Sequence, residues 1–271
     1  MTPEDFDKLQ ALLSSRAGYR LTRDRMQLAE HRLGPIARRE GYANVEALLA
    51  NLWVNPVASL AWGVIEALLN PETWFRRDRA PFGVFERELL PALAAARPSA
   101  QVRVWSAGCS TGQEAWSIAM AGLAAGARVE VVATDLSHRA VEKAKSGLYT
   151  GFEIQRGLNA HTMLRWFEPA EDQWRVKSEL AQAVRFARAN LLDEPIDDVR
   201  YDVIFCRNVL IDMEPGRRAR VLDGLEQRLV DDGCLFLGAD EKLEGETVAF
   251  RPVSGRRGLY VKAPSSLRRA A

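Results

Sequence analysis

Residues 102–116 read VRVWSAGCSTGQEAW: an apolar run, then Ala107-Gly108-Cys109-Ser110-Thr111-Gly112, then residues able to form a helix. Glycine reaches backbone conformations closed to other residues and lets a ligand come close to the main chain. A strand that empties into such a turn just before a helix is a place where a small molecule can lie against backbone N–H groups. Two carboxylates stand beside the turn. Glu114 opens the helix, and Asp135 ends a second apolar run, VEVVATD (129–135).

The residue types narrow the ligand. A P-loop requires Gly-Lys-Ser/Thr, and here Gly112 is followed by Gln113 and Glu114, which excludes it. The dinucleotide fingerprint spaces its glycines as G-x-G-x-x-G, and Gly108 and Gly112 do not fit that spacing. A glutamate at the helix start also repels a pyrophosphate. A ligand with a positive group and no phosphate suits Glu114 better. S-adenosylmethionine, with its ammonium and sulfonium, is such a ligand. Asp135 then stands where a carboxylate accepts hydrogen bonds from ribose hydroxyls, by the geometry used in dinucleotide folds. A plain strand–helix turn uses the same glycines, so that reading stays open beside the first.

Residues 3–68 carry apolar positions at helical spacing, such as Phe6, Leu9, Leu12 and Leu13, with no strand-like alternation. They predict an all-helical N-terminal domain (1–68). LLNPETWFRRDRAPF follows, and its prolines predict a linker over 69–82. From residue 102 the pattern changes. Strands are predicted at 102–107, 129–135, 201–208, 234–239 and 258–263, alternating with helices at 113–126, 136–147 and 215–230. Buried strands alternating with helices predict an α/β fold with a doubly wound, Rossmann-like parallel sheet, here over 83–263. Between 148 and 188 the alternation breaks. QWRVKSEL (173–180) and AVRFARAN (183–190) predict an antiparallel pair within an inserted β-subdomain (148–188), and 264–271 reads as a disordered tail.

Of the 271 residues 47% are apolar and 27% charged, and the formal net charge is +1. That balance gives no reason to expect nucleic acid or an anionic membrane as partner. No apolar run approaches the roughly 20 residues that span a bilayer. The N-terminus, MTPEDFDKLQ, is too acidic and polar for a secretory signal, so a cytoplasmic protein is expected. Cys109, Cys206 and Cys234 lie far apart and read as reduced thiols. His31, His138 and His161 pair with no cysteine or histidine, so neither a metal site nor a Ser-His-Asp triad is expected. Trp53, Trp62, Trp74 and Trp166 read as core anchors.

Four stretches in order, ETWFRRD (72–78), VWSAGCSTGQEAWSIAM (104–120), TDLS (134–137) and FCRNVLI (205–211), resemble the CheR family of chemotaxis receptor methyltransferases. The resemblance covers nearly the whole chain. It implies transfer of a methyl group from S-adenosyl-L-methionine to glutamate side chains on receptor cytoplasmic helices, giving methyl esters and S-adenosyl-L-homocysteine. It also implies site residues. Thr73 and Arg77 contact the cofactor, Ala107 and Gly108 line its pocket, Glu114 takes its amino end and Asp135 its ribose. Asn190 and Leu191 lie beside the adenine, and Arg207 and Asn208 line the pocket from the next strand. The implied partner is a methyl-accepting chemotaxis receptor, an acidic helical bundle, and the enzyme is expected as a monomer that is not membrane-inserted.

A glutamate acceptor is already ionised at neutral pH, its reference pKa being about 4.3, so it needs orientation rather than a base. An arginine fork orients a carboxylate well, and Arg77 is the candidate. Three positions depart from the family pattern, one of them the asparagine before Pro-Glu-Thr, which is shifted by one and leaves Pro71. Arg76 stands where a second phenylalanine is common, and Asp212 stands where a tyrosine lies near the reacting groups. Three readings of Asp212 follow: it turns away or pairs with Arg76; it is a general base for an amine or hydroxyl acceptor; or catalysis is weak or lost and the protein is a cofactor-binding receptor module. Arg16, Arg20, Arg23, Arg25, Arg32, Arg38 and Arg39 predict a basic helical face suited to an acidic receptor. In relatives the inserted subdomain can capture a receptor C-terminal pentapeptide by strand addition. The connection WFEPAEDQWRV (166–176) is short and lacks glycine, which leans toward the type that needs no such tether.

Overall fold

The computed structural model describes residues 1–97, 101–194, 198–243 and 247–263; the tail read at 264–271 lies outside them. The chain forms two compact units. One comprises Met1–Asn70 and Asp212–Arg218, the other Pro71–Ile211 and the described residues from Ala219 onward.

The first unit is helical. Helix α1 (Pro3–Ala17) starts at a capping box, in which the Thr2 hydroxyl accepts the Asp5 N–H at 3.1 Å and the Asp5 carboxylate accepts the Thr2 N–H. Helices α2 (Met26–Arg39), α3 (Val45–Val54) and α4 (Ala58–Leu68) follow. Helical spacing brings Phe6, Leu9, Leu13, Leu33, Leu48, Leu49 and Val64 into a buried core. The segment from Asp212 joins this unit through its backbone. Arg20 N–H donates to the Asp212 carbonyl at 2.8 Å, and Glu214 N–H donates to the Gly18 carbonyl at 2.9 Å.

The second unit opens with α5 (Ala80–Val84), a wider five-residue turn at Phe85–Leu89, and α6 (Leu90–Ala96). Strand β1 (Val102–Ala107), α7 (Gln113–Ala124), β2 (Val129–Asp135) and α8 (His138–Ser146) come next. A subdomain is then inserted: β3 (Leu148–Tyr149), α9 (Gly151–Gln155), α10 (Ala160–Trp166), β4 (Phe167–Ala170) and β5 (Gln173–Val176). The chain continues through α11 (Ser178–Ala181), β6 (Val184–Arg188), β7 (Tyr201–Phe205), α12 (Pro215–Arg228), β8 (Leu229–Phe236), β9 (Phe250–Pro252) and β10 (Leu259–Lys262).

Among the described residues seven strands form one sheet in the order β6-β2-β1-β7-β8-β10-β9. The pairs from β6 to β8 are parallel, and β10 runs antiparallel to both β8 and β9. In register, Val104 lies between Val131 and Val203, all three fully buried. The order reverses at β1, because the chain adds β2 and β6 on one side of it and then returns to place β7 on the other. This switch point opens a crevice at the carboxyl ends of the central strands.

Two sequence expectations change. AVRFARAN does not pair with QWRVKSEL: β6 joins the edge of the large sheet parallel to β2, while β5 lies between β3 and β4 in a separate three-stranded sheet. The inserted sheet therefore closes at Val176. Alternating apolar residues mark a strand but not its partner. Phe186 is directed to the large sheet by its edge contact with Trp116 of α7, ring centroids 5.0 Å apart. The stretch read as a linker also sends side chains into the core. Phe75 and Phe82 are fully buried in the second unit. Phe75 meets Tyr149 and Phe167 edge-on at 5.2 and 5.5 Å, and Phe82 stacks on Phe205. A buried phenylalanine truncated to alanine costs about 3–5 kcal/mol. We expect Phe75→Ala to lower unfolding free energy by that amount in denaturant titration; a loss below about 1 kcal/mol would show a segment that only connects.

Candidate active site

The carboxyl ends of β1, β2, β6 and β7 converge on the glycine turn. The N–H groups of Gly108 and Cys109 both donate to the Thr134 carbonyl, at 2.8 and 2.9 Å, which binds the turn after β1 to the end of β2. Gly108 has φ +83°, and a Cβ there would overlap the Val209 side chain on the loop after β7, so glycine is required on both counts. Asp135 is held by backbone: Oδ2 accepts the Ser110 N–H at 2.7 Å and Oδ1 accepts the Ser137 N–H at 2.9 Å. Each carboxylate oxygen has more than one acceptor position, so both can still receive a hydroxyl. Ala189 N–H donates to the Asp135 carbonyl at 3.0 Å, which sets Asn190 and Leu191 next to that carboxylate's strand end. The Asn190 side chain closes a local turn by accepting the Leu192 N–H at 3.1 Å.

Behind the turn lies a buried ionic cluster. The Glu114 carboxylate accepts the Ser106 hydroxyl at 2.9 Å on one oxygen and Arg207 Nη1 at 3.0 Å on the other. Arg207, whose side chain is 1% exposed, uses Nη2 to reach the Arg77 carbonyl at 2.9 Å and Asp78 Oδ2 at 2.7 Å. One guanidinium thus joins β7, α7 and the segment before α5. Burial raises the Glu114 pKa above the ordinary range, opposed by Arg207 and by the Ser106 hydrogen bond. Burial also pushes the Cys109 and Cys206 thiols well up, which makes them poor nucleophiles.

Residues 71–79 lie across the glycine turn. Ser110 Oγ donates to the Pro71 carbonyl at 2.9 Å, and Arg76 N–H donates to Ser117 Oγ of α7 at 3.0 Å. Thr73 is half-buried between these two fastenings. Arg76 (φ +52°), Asp78 (φ +64°) and Arg79 (φ +40°) occupy the left-handed region, where each non-glycine residue costs on the order of 1–3 kcal/mol. The Arg77 guanidinium lies 4.5 Å above the Trp74 ring and donates to the Glu72 carbonyl.

The structure brings Ala107, Gly108, Glu114, Asp135, Asn190, Leu191, Arg207, Asn208, Thr73 and Arg77 to one end of the sheet. Asp212 stands apart from these bonds. Its carboxylate accepts Arg25 Nη1 at 3.1 Å, and the same nitrogen donates to the Tyr19 hydroxyl at 3.1 Å. The pairing read between Asp212 and Arg76 is replaced, since Arg76 holds Glu86 through two hydrogen bonds of 2.6 and 2.8 Å. Ser106 and Asp78 complete the cluster and are absent from the expected site residues, although both lie inside the motif stretches.

The arrangement fits S-adenosylmethionine. At this end of the sheet Arg77 Nε, Arg207 Nε and Asn208 Oδ1 are buried with no hydrogen-bond partner, and buried polar atoms require one. The cofactor carries both the carboxylate that the Arg207 donor needs and the amines that the Asn208 acceptor needs. Residues 71–259 match the family model described as CheR methyltransferase, SAM binding domain. The chain belongs to the CheR methyltransferase family. It is similar to the chemotaxis protein methyltransferase Cher2 of Pseudomonas putida, 32% identical over 96% of this chain and 98% of that one. A chemotaxis protein methyltransferase of Vibrio parahaemolyticus is 32% identical over 97% and 98%, and chemotaxis protein methyltransferase 1 of Pseudomonas aeruginosa 32% over 96% and 97%. Membership makes this chain an S-adenosylmethionine-dependent methyltransferase of the kind found in chemotaxis. No described helix is long and apolar enough to cross a membrane.

A cationic ligand group needs Glu114 ionised, and burial raises that group's pKa. We expect S-adenosylmethionine affinity, measured by calorimetry, to fall with decreasing pH from above the usual glutamate range. Glu114→Gln should bind more weakly and lose this acid limb; a variant that keeps the limb would assign it to another group.

Proposed function

We propose that this CheR-family enzyme transfers the methyl group of S-adenosylmethionine to glutamate side chains on the cytoplasmic helices of a chemoreceptor, forming glutamate methyl esters in chemotactic adaptation. It then acts in the cytoplasm, as a monomer. The observation that carries the reading is the Arg77 side chain: anchored to Glu72 and stacked on Trp74, it keeps a buried Nε with no partner, beside a cluster built for a cationic cofactor.

The cofactor supplies an electrophilic methyl on a positively charged sulfur. The chain's own groups bind, orient and exclude water. Asp135 receives the ribose hydroxyls, and Glu114 the cofactor ammonium. Thr73, Ala107, Gly108, Asn190, Leu191, Arg207 and Asn208 complete the pocket. Arg77 holds the incoming carboxylate by charge-assisted hydrogen bonds, and the acceptor arrives already deprotonated. What remains is alignment and dehydration of the reacting groups.

Asp212 is an anchor in this reading rather than a base. Its carboxylate is committed to Arg25, and its carbonyl accepts the Arg20 N–H. The basic helical face is narrower than its arginine count implied. Arg25 is held by Asp212 and Tyr19, Arg32 donates to the Leu68 and Leu69 carbonyls, and Arg23 and Arg39 pair with Asp7 and Glu40. Arg20 and Arg38 are exposed on this unit and can steer an acidic helical bundle.

The test is transfer from methyl-labelled S-adenosylmethionine to receptor-containing membranes, followed by brief alkali treatment. Alkali-labile label released as methanol is the expected result. Stable label would move the acceptor to nitrogen or an ether oxygen. Absent label with cofactor binding intact would leave a receptor-binding module. In the same assay Asp212→Asn should change the rate less than about tenfold, whereas removal of a general base costs about 100-fold to 10,000-fold.

A further inference from the structure

Glu241 follows the end of β8 and is 5% exposed. Its carboxylate accepts three main-chain donors: Oε2 accepts the Gly238 N–H at 2.6 Å and the Asn208 N–H at 2.8 Å, and Oε1 accepts the Ile211 N–H at 3.0 Å. One side chain therefore ties the turn after β8 to the turn after β7, at the open end of the sheet. The turn it grips is the one that carries Arg207 and Asn208.

Asn208 has φ +60°. That conformation is uncommon for a residue with a side chain and persists only where the surroundings hold it. The hydrogen bond from its own N–H to Glu241 is one such restraint. The other is steric. A Cβ added to Gly238 would lie 2.7 Å from Asn208 Nδ2 and 2.8 Å from Glu241 Oε2, so the Asn208 amide lies directly over Gly238. Held from both sides, the side chain keeps Oδ1 buried and unpartnered. An acceptor fixed in that state is prepared for a ligand donor.

We infer that Glu241 is a positioning residue for cofactor binding, acting through Asn208 by fixing the main chain of residues 208–211. The inference rests on the assignment of Asn208 to the cofactor pocket, and the two fail separately. Three single variants and one double variant of the full chain are titrated with S-adenosylhomocysteine by calorimetry, with thermal unfolding recorded for each. Asn208→Ala weakens binding about tenfold, the loss of one useful hydrogen bond. Glu241→Gln keeps shape but turns an amine toward a backbone N–H, and weakens binding by a similar factor. Gly238→Ala leaves all charges in place, displaces the Asn208 amide and gives the same loss. Asn208→Ala with Glu241→Gln binds no more than about threefold weaker than Asn208→Ala alone, because the second change acts on a group already absent.

Wild-type affinity in Asn208→Ala overturns the assignment of Asn208. Weakened binding in Asn208→Ala with wild-type affinity in both Glu241→Gln and Gly238→Ala overturns the positioning role alone. Additive losses in the double variant, tracking the losses in thermal stability, reduce Glu241 to a structural residue. If Glu241→Gln does not fold, Gly238→Ala paired with Asn208→Ala decides by the same non-additivity.

Discussion

The buried guanidinium of Arg207 is the interaction on which the second unit's functional end depends. A charge taken out of water costs several kcal/mol unless partners surround it. Three partners come from two places in the chain: Glu114 from the first turn of α7, and Asp78 and the Arg77 carbonyl from the segment before α5. Because Arg207 satisfies all of them at once, the segment that covers the glycine turn cannot shift without exposing an unpaired buried ion. The pair also explains why Glu114 remains useful as a carboxylate. Burial alone would favour its neutral form, and Arg207 with Ser106 opposes that.

The same bonds account for the strained backbone at 76–79. Three non-glycine residues in the left-handed region are together unfavourable by several kcal/mol. The cost is offset by Arg207 on the Arg77 carbonyl, Ser117 on the Arg76 N–H and the full burial of Phe75 and Phe82 on either side. The conformation turns Arg76 toward Glu86 and lays Arg77 on Trp74. A relaxed strand or helix over these residues would present the two neighbouring arginines quite differently.

In the helical unit, Asp212 is held by an ion pair with Arg25. Where the family pattern has an aromatic hydroxyl, this chain has a carboxylate, and Arg25 and Tyr19 lie within hydrogen-bond reach of one another around it. Its backbone bonds to Arg20 and, two residues on, those of Glu214 to Gly18 fasten the segment to the helices. A residue that departs from the family pattern in the sequence is, in the fold, ion-paired to Arg25 and bonded through its carbonyl to Arg20.

Sequence by itself determined the local elements and the chemistry of the turn. Apolar runs of the right length gave β1, β2, β7 and β10, and Gly108, Glu114 and Asp135 marked the ligand end of the sheet, because strand length, glycine freedom and carboxylate position are all properties of neighbouring residues. Tertiary structure decided everything that depends on which distant groups meet. It sent Val184–Arg188 to the large sheet rather than the inserted one, since alternation marks a strand without choosing its edge. It buried Phe75 and Phe82, from the stretch at 71–82, in the core. It paired Asp212 with Arg25 and Arg76 with Glu86, reversing the pairing that charge alone suggested. It also recruited Glu241, which has no motif of its own and matters only because two parallel strands end side by side and leave three N–H groups in need of one acceptor.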